Sequence, residues 1–377
     1  MDITNTLSSL IACNSISSVN PAFDQGNRRV IDLLANWLEA LGFSIEIMPL
    51  ADPRKANLIA TLGSGPGGLV LSGHTDTVPC DEGLWQQDPF VLSESNDRYY
   101  GLGVCDMKGF FALVLAAVQS FAGKTPQHPL IILATADEES SMAGAKALVD
   151  SGKPRARYAL IGEPTGMRPI ASHKGIMVEK LQITGRSGHS SNPALGNSTM
   201  PTLHRVLGEL LSLQQELKER YNNPLFAVDY PTLNLGCINA GDNPNRICGH
   251  SDLGFEIRPL PGMDLNELKN ELEARLLPLG DPDSVTVSME HLLVPPYEAD
   301  KHSEFTRACE QLTGYQREAV AFATEAPYLQ QLGMDVLVMG PGSIQQAHQP
   351  NEYLEHSHIK PMIDVLEQLI TRYCFIQ

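Results

Sequence analysis

The sequence predicts an α/β protein: a mainly parallel β-sheet covered by helices, interrupted by an inserted α+β, ferredoxin-like domain. Short apolar runs at 69–73, 130–136 and 159–163 are each bounded by glycine or acidic residues, and helical stretches at 108–121 and 143–150 lie between them. Continuous apolar strands alternating with helices describe a sheet buried on both faces. From about residue 175 the order becomes strand 176–184, helix 199–218, strands 232–238 and 251–259, helix 264–276 and strand 284–290. That βαββαβ succession is a split βαβ sandwich. The α/β character then returns with helix 302–312, strand 336–340 and helix 359–372. The expected division is a catalytic domain built from 1–174 and 286–377, with 175–285 inserted.

Near the start, residues 27–41 place Val30, Leu33, Leu34, Trp37, Leu38 and Leu41 on one helical face, and Gly42 stops the helix. The chain has 377 residues, 42% of them hydrophobic and 19% charged, which suits about two or three globular domains. A net charge of −17 argues against a nucleic-acid partner, since neutralising phosphates needs clustered Lys and Arg. The longest apolar runs, such as Phe110 to Val118, reach about half of the ~20 residues of a membrane span. The N-terminal MDITNTLSSL has neither the basic start nor the apolar stretch of a signal peptide. Seven cysteines, an odd number with no C-x-x-C pair, point to a reducing cytoplasm.

The chemistry lies in where acids and histidines fall. His74 and Asp76 sit in SGHTDTVP just past a strand, Asp106 in GLGVCDMKG before a helix, and Glu138 and Glu139 in ATADEES past a second strand. Glu163 follows a third strand in LIGEPT, and His348 lies beyond the last one in GPGSIQQAHQP. Ligands of open α/β sheets bind at the carboxyl ends of strands, so these groups are expected to converge. Singly each has a plainer reading: a loop histidine, a helix cap, a solvated acid, a turn. Their coincidence at five strand ends favours a site for two divalent ions ~3.5–4 Å apart, Zn²⁺ or Co²⁺ suiting imidazole and carboxylate donors. Cys105 is expected to be a small core residue, because neighbouring side chains in extended backbone point oppositely.

Arg258 and Asn245 are candidates for a substrate α-carboxylate, the Arg fork suiting bidentate binding, with a structural salt bridge as the rival. Gly342 and Ser343 belong to a GPGS turn whose backbone N–H groups suit the same anion. Glu325, in TEAP, meets a cationic group of a ligand or merely caps a helix. His189, in GRSGHSS, reads on sequence alone as a loop histidine.

The stretches GHTDTVP (73–79), GLGVCDMKG (101–109), TADEE (135–139), GEP (162–164) and the late His348 resemble those of the aminoacylase- and carboxypeptidase-type dinuclear zinc hydrolases. HKG (173–175), GRSGHSS (185–191), YPTLNLG (230–236), NRIC (245–248), IRPLPGM (257–263), TEAP (324–327) and GPGSIQQAHQPNEYL (340–354) narrow the likeness to members that deacylate amino acids. The resemblance implies a zinc aminopeptidase/carboxypeptidase-like catalytic fold whose inserted domain is a lid and dimerisation domain. It implies that His74 and Glu163 hold one metal, that Glu139 and His348 hold the other, and that Asp106 bridges both. Asp76 is then a hydrogen-bond partner that fixes the His74 tautomer, and Glu138 the general base. A cis peptide between Asp106 and Met107 is implied, as is a homodimer in which His189 reaches the partner's site to stabilise an oxyanion. The implied substrate is a small N-acyl amino acid, N2-acetylornithine first, with N-succinyl-diaminopimelate and other N-acyl amino acids as alternatives.

Overall fold

The computed structural model describes residues 2–376. The chain forms two compact units. One comprises the chain up to Ala171, Ala299–Glu318 and the chain from Thr324; the other comprises Ser172–Glu298 and Ala319–Ala323.

The first unit opens with α1 (Ile3–Ile11), started by the Asp2 carboxylate accepting the Asn5 amide, and α2 (Arg28–Ala40). Val30, Ile31, Leu34, Ala35 and Leu38 form the buried stripe of α2, and Gly42 beyond it has φ +91°. Then come β1 (Ser44–Pro49), β2 (Ala56–Leu62), β3 (Leu69–His74), the hairpin β4 (Ser93–Ser95) and β5 (Arg98–Tyr100), α3 (Lys108–Gln119), β6 (Leu130–Thr135), α4 (Ala143–Ser151), β7 (Tyr158–Ile161) and β8 (Ile170–His173). Helix α3 is buried from Lys108 to Leu115 and again at Ala117 and Val118, as expected of a helix apolar on every side. Burying each of its Leu, Val and Phe side chains contributes roughly 1.5–3 kcal/mol.

The second unit runs β9 (Ile176–Thr184), α5 (Met200–Arg220), β10 (Thr232–Ala240), β11 (His250–Arg258), α6 (Leu265–Leu276), β12 (Thr286–Val294) and β13 (Tyr297–Glu298). Its antiparallel four-stranded sheet has the order β10-β11-β9-β12. Alternate residues of β9 and β11 face inward, and Met177, Leu181, Ile183, Leu253, Phe255 and Ile257 meet Val206, Leu210, Leu213, Leu217, Leu272 and Leu276 of the helices. All of β12 pairs with β9, from Thr286↔Thr184 to Val294↔Ile176. The second unit therefore extends to Glu298 and returns for 319–323, beyond the boundary at 285 expected from sequence. The nine-residue hydrogen-bonded ladder is the physical reason.

The chain closes with α7 (Glu304–Thr313), β14 (Glu318–Val320), α8 (Ala326–Gln331), β15 (Asp335–Val338), β16 (Tyr353–Glu355) and α9 (His356–Ile370). The sheet of the first unit runs β1-β2-β6-β3-β7-β15-β8. Strands β6, β3, β7 and β15 are mutually parallel, and β1, β2 and β8 pair antiparallel at its margins. The parallel centre is buried throughout β3, β6 and β7, so every polar group at its carboxyl end sits at the mouth of a dry core.

Candidate metal centre

Two glycines let the strand ends come close. A Cβ on Gly73 would lie 2.5 Å from the Met107 methyl, and one on Gly162 would lie 2.3 Å from the Phe110 ring. The next residues, His74 and Glu163, therefore project from strands packed directly against α3 and the turn before it. The Asp106–Met107 peptide in that turn is cis.

Around Asp106 the acids and imidazoles converge. Asp106 Oδ1 lies 3.1 Å from His74 Nε2, and Oδ2 lies 3.7 Å from His348 Nε2. Glu163 Oε1 is 4.0 Å from His74 Nε2 on the first side. On the second, Glu139 presents Oε2 and Oε1 at 2.9 and 3.1 Å from His348 Nε2. Donor atoms of His74, Asp106 and Glu139 all fall within 4.8 Å of one another. One carboxylate thus faces two imidazoles, each with its own second carboxylate. Imidazole and carboxylate donors without thiolate suit a pair of divalent cations.

The electrostatics suit such cations. Burial, with the charge of Glu163 next, pushes the Glu138 carboxyl well above its ordinary value; burial and the charges of Asp106 and Glu139 do the same to Glu163 despite His74. Burial disfavours the His74 imidazolium, yet the Asp106 hydrogen bond and the charges of Glu163 and Asp76 hold its pKa well up. His348 is raised to about 8, chiefly by its hydrogen bond to Glu139. Carboxylates packed this closely repel one another unless positive charge is shared among them.

Asp76 acts differently from the sequence expectation. His74 Nδ1 donates to the Asp76 backbone carbonyl at 2.9 Å, while the Asp76 carboxylate stands 3.7 Å away. The backbone oxygen sets the tautomer, leaving Nε2 toward Asp106. The Asp76 carboxylate instead accepts the amides of Glu138 (3.3 Å) and Glu139 (3.0 Å), and burial raises it to about 6. The preceding Asp137 turns the chain at φ +61°, a region Asp tolerates. Its carboxylate is gripped by Lys55 Nζ (2.6 Å) and Ser17 Oγ (2.7 Å).

Two features carried no sequence signal. Lys55, buried between Asp24 and Asp137, is one. The other is Glu352, which is 1% exposed and accepts the amides of Gly103, Cys105 and Asp106. Partners that are backbone amides leave no pattern in a sequence. Cys105 is a buried thiol directed at the Ser343 carbonyl, its pKa pushed well up by burial, so it is no thiolate ligand.

The remaining candidates are placed as follows. Two amides of the GPGS turn are engaged: Gly340 N–H donates to Thr165 Oγ1 (3.2 Å) and Gly342 N–H to His358 Nδ1 (3.0 Å). Ser343 Oγ accepts the Gln345 amide. Glu325 occupies the N-cap position of α8 but makes no capping bond; Oε2 accepts from Thr135 Oγ1 at 2.8 Å and Oε1 has no hydrogen-bond partner. Burial raises it to about 7. In the second unit, Arg258 spends its fork on Glu256 (2.8 and 3.0 Å), two residues away on the same strand. Asn245 lies in an exposed loop whose carbonyl accepts the Ser190 amide. His189 is exposed, with Nδ1 accepting from the Ser191 amide (3.2 Å), which places the proton of the neutral ring on Nε2.

A two-sided cage of imidazoles and carboxylates at the mouth of an α/β sheet defines a metal-dependent hydrolase. The chain belongs to peptidase family M20/M25/M40, whose model matches residues 70–372. It is 49% identical to an acetylornithine deacetylase from Edwardsiella ictaluri, with 97% of this chain and 96% of that protein covered. It is 48% identical to one from Proteus mirabilis, covering 98% and 96%. Among solved structures, an M20 family metallo-carboxypeptidase from Sulfolobus solfataricus superimposes with TM-score 0.79 at 18% identity, over 98% and 99% of the two chains. A dinuclear metal-binding peptidase of the M20 family from Bacillus subtilis gives 0.66 at 13%, over 98% and 97%. At those identities the structures speak for the fold. No helix among the described residues is long and apolar enough to cross a membrane.

Proposed function

We propose that this protein hydrolyses N2-acetyl-L-ornithine to ornithine and acetate, using two divalent ions, Zn²⁺ or Co²⁺. The observation that carries the reading is Asp106, with one oxygen toward His74 and the other toward His348, in a chain whose near-full-length relatives bear the deacetylase name. His74 and Glu163 would hold one ion, Glu139 and His348 the other, and Asp106 would be shared. Such ions polarise an amide carbonyl and acidify water.

The residues of the chain do the rest. Glu138 follows Asp137 in a turn fixed by Asp76 and Lys55, and it is not needed as a ligand. Its carboxylate takes the proton of the attacking water and delivers it to the departing nitrogen. The Nε2–H of His189 is a donor suited to the carbonyl oxygen as charge develops there. We assign that contact to the partner subunit of a homodimer, a reading supported by the open edge of β10, where Ile238 is 47% exposed. Arg258, once released from Glu256, and Asn245 suit the substrate α-carboxylate. Glu325, whose Oε1 is unsatisfied, suits the distal ammonium.

Measuring kcat/KM for N2-acetylornithine and N-succinyl-diaminopimelate tests the substrate. A preference for the succinyl compound removes the assignment, and activity that survives chelation removes the metal mechanism.

A further inference from the structure

The loop that carries Asp106 is tied down by a side chain with no part in the reaction above. Glu352 Oε2 accepts the Gly103 amide at 3.0 Å, and Oε1 accepts those of Cys105 (2.7 Å) and Asp106 (2.9 Å). The Gly101 amide donates to the backbone carbonyl of Glu352 at 3.2 Å. On the same short segment, His348 and Asn351 both have left-handed backbone, φ +60° and +59°. A single buried residue therefore joins the turn that bears the central carboxylate to the turn that bears the second imidazole.

Three converging N–H groups require an acceptor that donates nothing. The two oxygens of the Glu352 carboxyl together offer about four lone-pair directions, enough for all three. A carboxamide would satisfy one side of the contact and set an NH₂ group against an N–H on the other. The geometry is as selective for Glu over Gln as a bidentate site is for Arg over Lys.

We propose that Glu352 is a positioning residue of the metal centre, whose carboxylate fixes the backbone of 103–106 so that Asp106 presents one oxygen to each imidazole. The inference rests on the reading of Asp106 as the shared ligand. Side chains that orient ligands from behind typically change metal affinity by about 10–100-fold when lost.

The test is a Co²⁺ titration of the chelated wild-type protein, Glu352→Gln and Glu352→Asp, followed by calorimetry and by the visible absorption of bound Co²⁺. Circular dichroism and thermal unfolding of the metal-free proteins report the fold. The expected result is that E352Q folds but binds Co²⁺ about 10–100-fold more weakly with an altered spectrum, and that E352D recovers part of the affinity. A folded E352Q with wild-type affinity and spectrum overturns the proposal. Should E352Q not fold, E352D decides: weaker binding than wild type supports the proposal, and unchanged binding and spectrum overturn it. A wild-type protein that fails to bind Co²⁺ overturns the metal centre itself, and this inference with it.

Discussion

In the first unit His74, Asp76, Asp106, Glu163 and Glu325 are all 7% exposed or less, whereas in the second His189 and Asn245 lie on exposed loops and Arg258 is partly open to solvent. The first collects its groups at the carboxyl ends of buried parallel strands. The second carries its groups on the loops and strand ends of an antiparallel sheet with one solvated face. Like charges kept in a buried site disfavour one another and favour a shared counter-charge, whereas groups on solvated loops are free to reorient. The difference separates a buried cluster of acids and imidazoles in one unit from solvent-facing groups in the other.

The largest expected effects test that division. Glu138→Ala should lower kcat by about 10²–10⁴-fold while Co²⁺ binding, measured calorimetrically, stays as in the wild type. His189→Ala should lower kcat by about 10²–10³-fold, also without loss of metal. If the two variants form an interface-sharing dimer, mixing them restores activity through hybrid sites; a mixture no better than its components breaks the dimer reading.

Next comes stability. Lys55→Met leaves the buried Asp137 and the half-buried Asp24 without their shared cation and should lower unfolding stability by about 3–5 kcal/mol, seen in denaturant titration. In the second unit, Arg220→Ala opens the surface pair with Glu271 and should change stability by only about 0.2–1 kcal/mol. Equal losses would erase the contrast between the units.

The smallest effect concerns pH. Burial raises Glu325 from 4.5 to about 7, so its contribution is fully present below its unfolded pKa and is lost as pH rises through about 7. The Tm of chelated protein should therefore fall between about pH 5 and about pH 8, and fall less in Glu325→Gln. Parallel profiles for the two proteins would show that the carboxyl is not held in its neutral form.

Much of the cage was legible because His74 and Glu163 follow apolar runs and stand beside glycine or proline, features that place them at strand ends. Some elements were not legible. The two-residue β13 and four-residue β8 are too short to show a period that separates them from loops. Arg258 could not be resolved from sequence, because Glu256 competes for its fork at a spacing that a strand brings onto one face. In the GPGS turn, the claims of Thr165 and His358 on the Gly340 and Gly342 amides come from outside the turn and leave no local pattern.

The second unit is not a single loop of chain, since 319–323 returns to it after Ala299–Glu318 has rejoined the first. The backbone therefore passes between the units at four places. A minimal enzyme made by splicing out 172–298 alone would retain an orphaned five-residue stub, and a transplant of the second unit onto another scaffold would have to carry both pieces. Engineering of this chain has to work with two paired junctions.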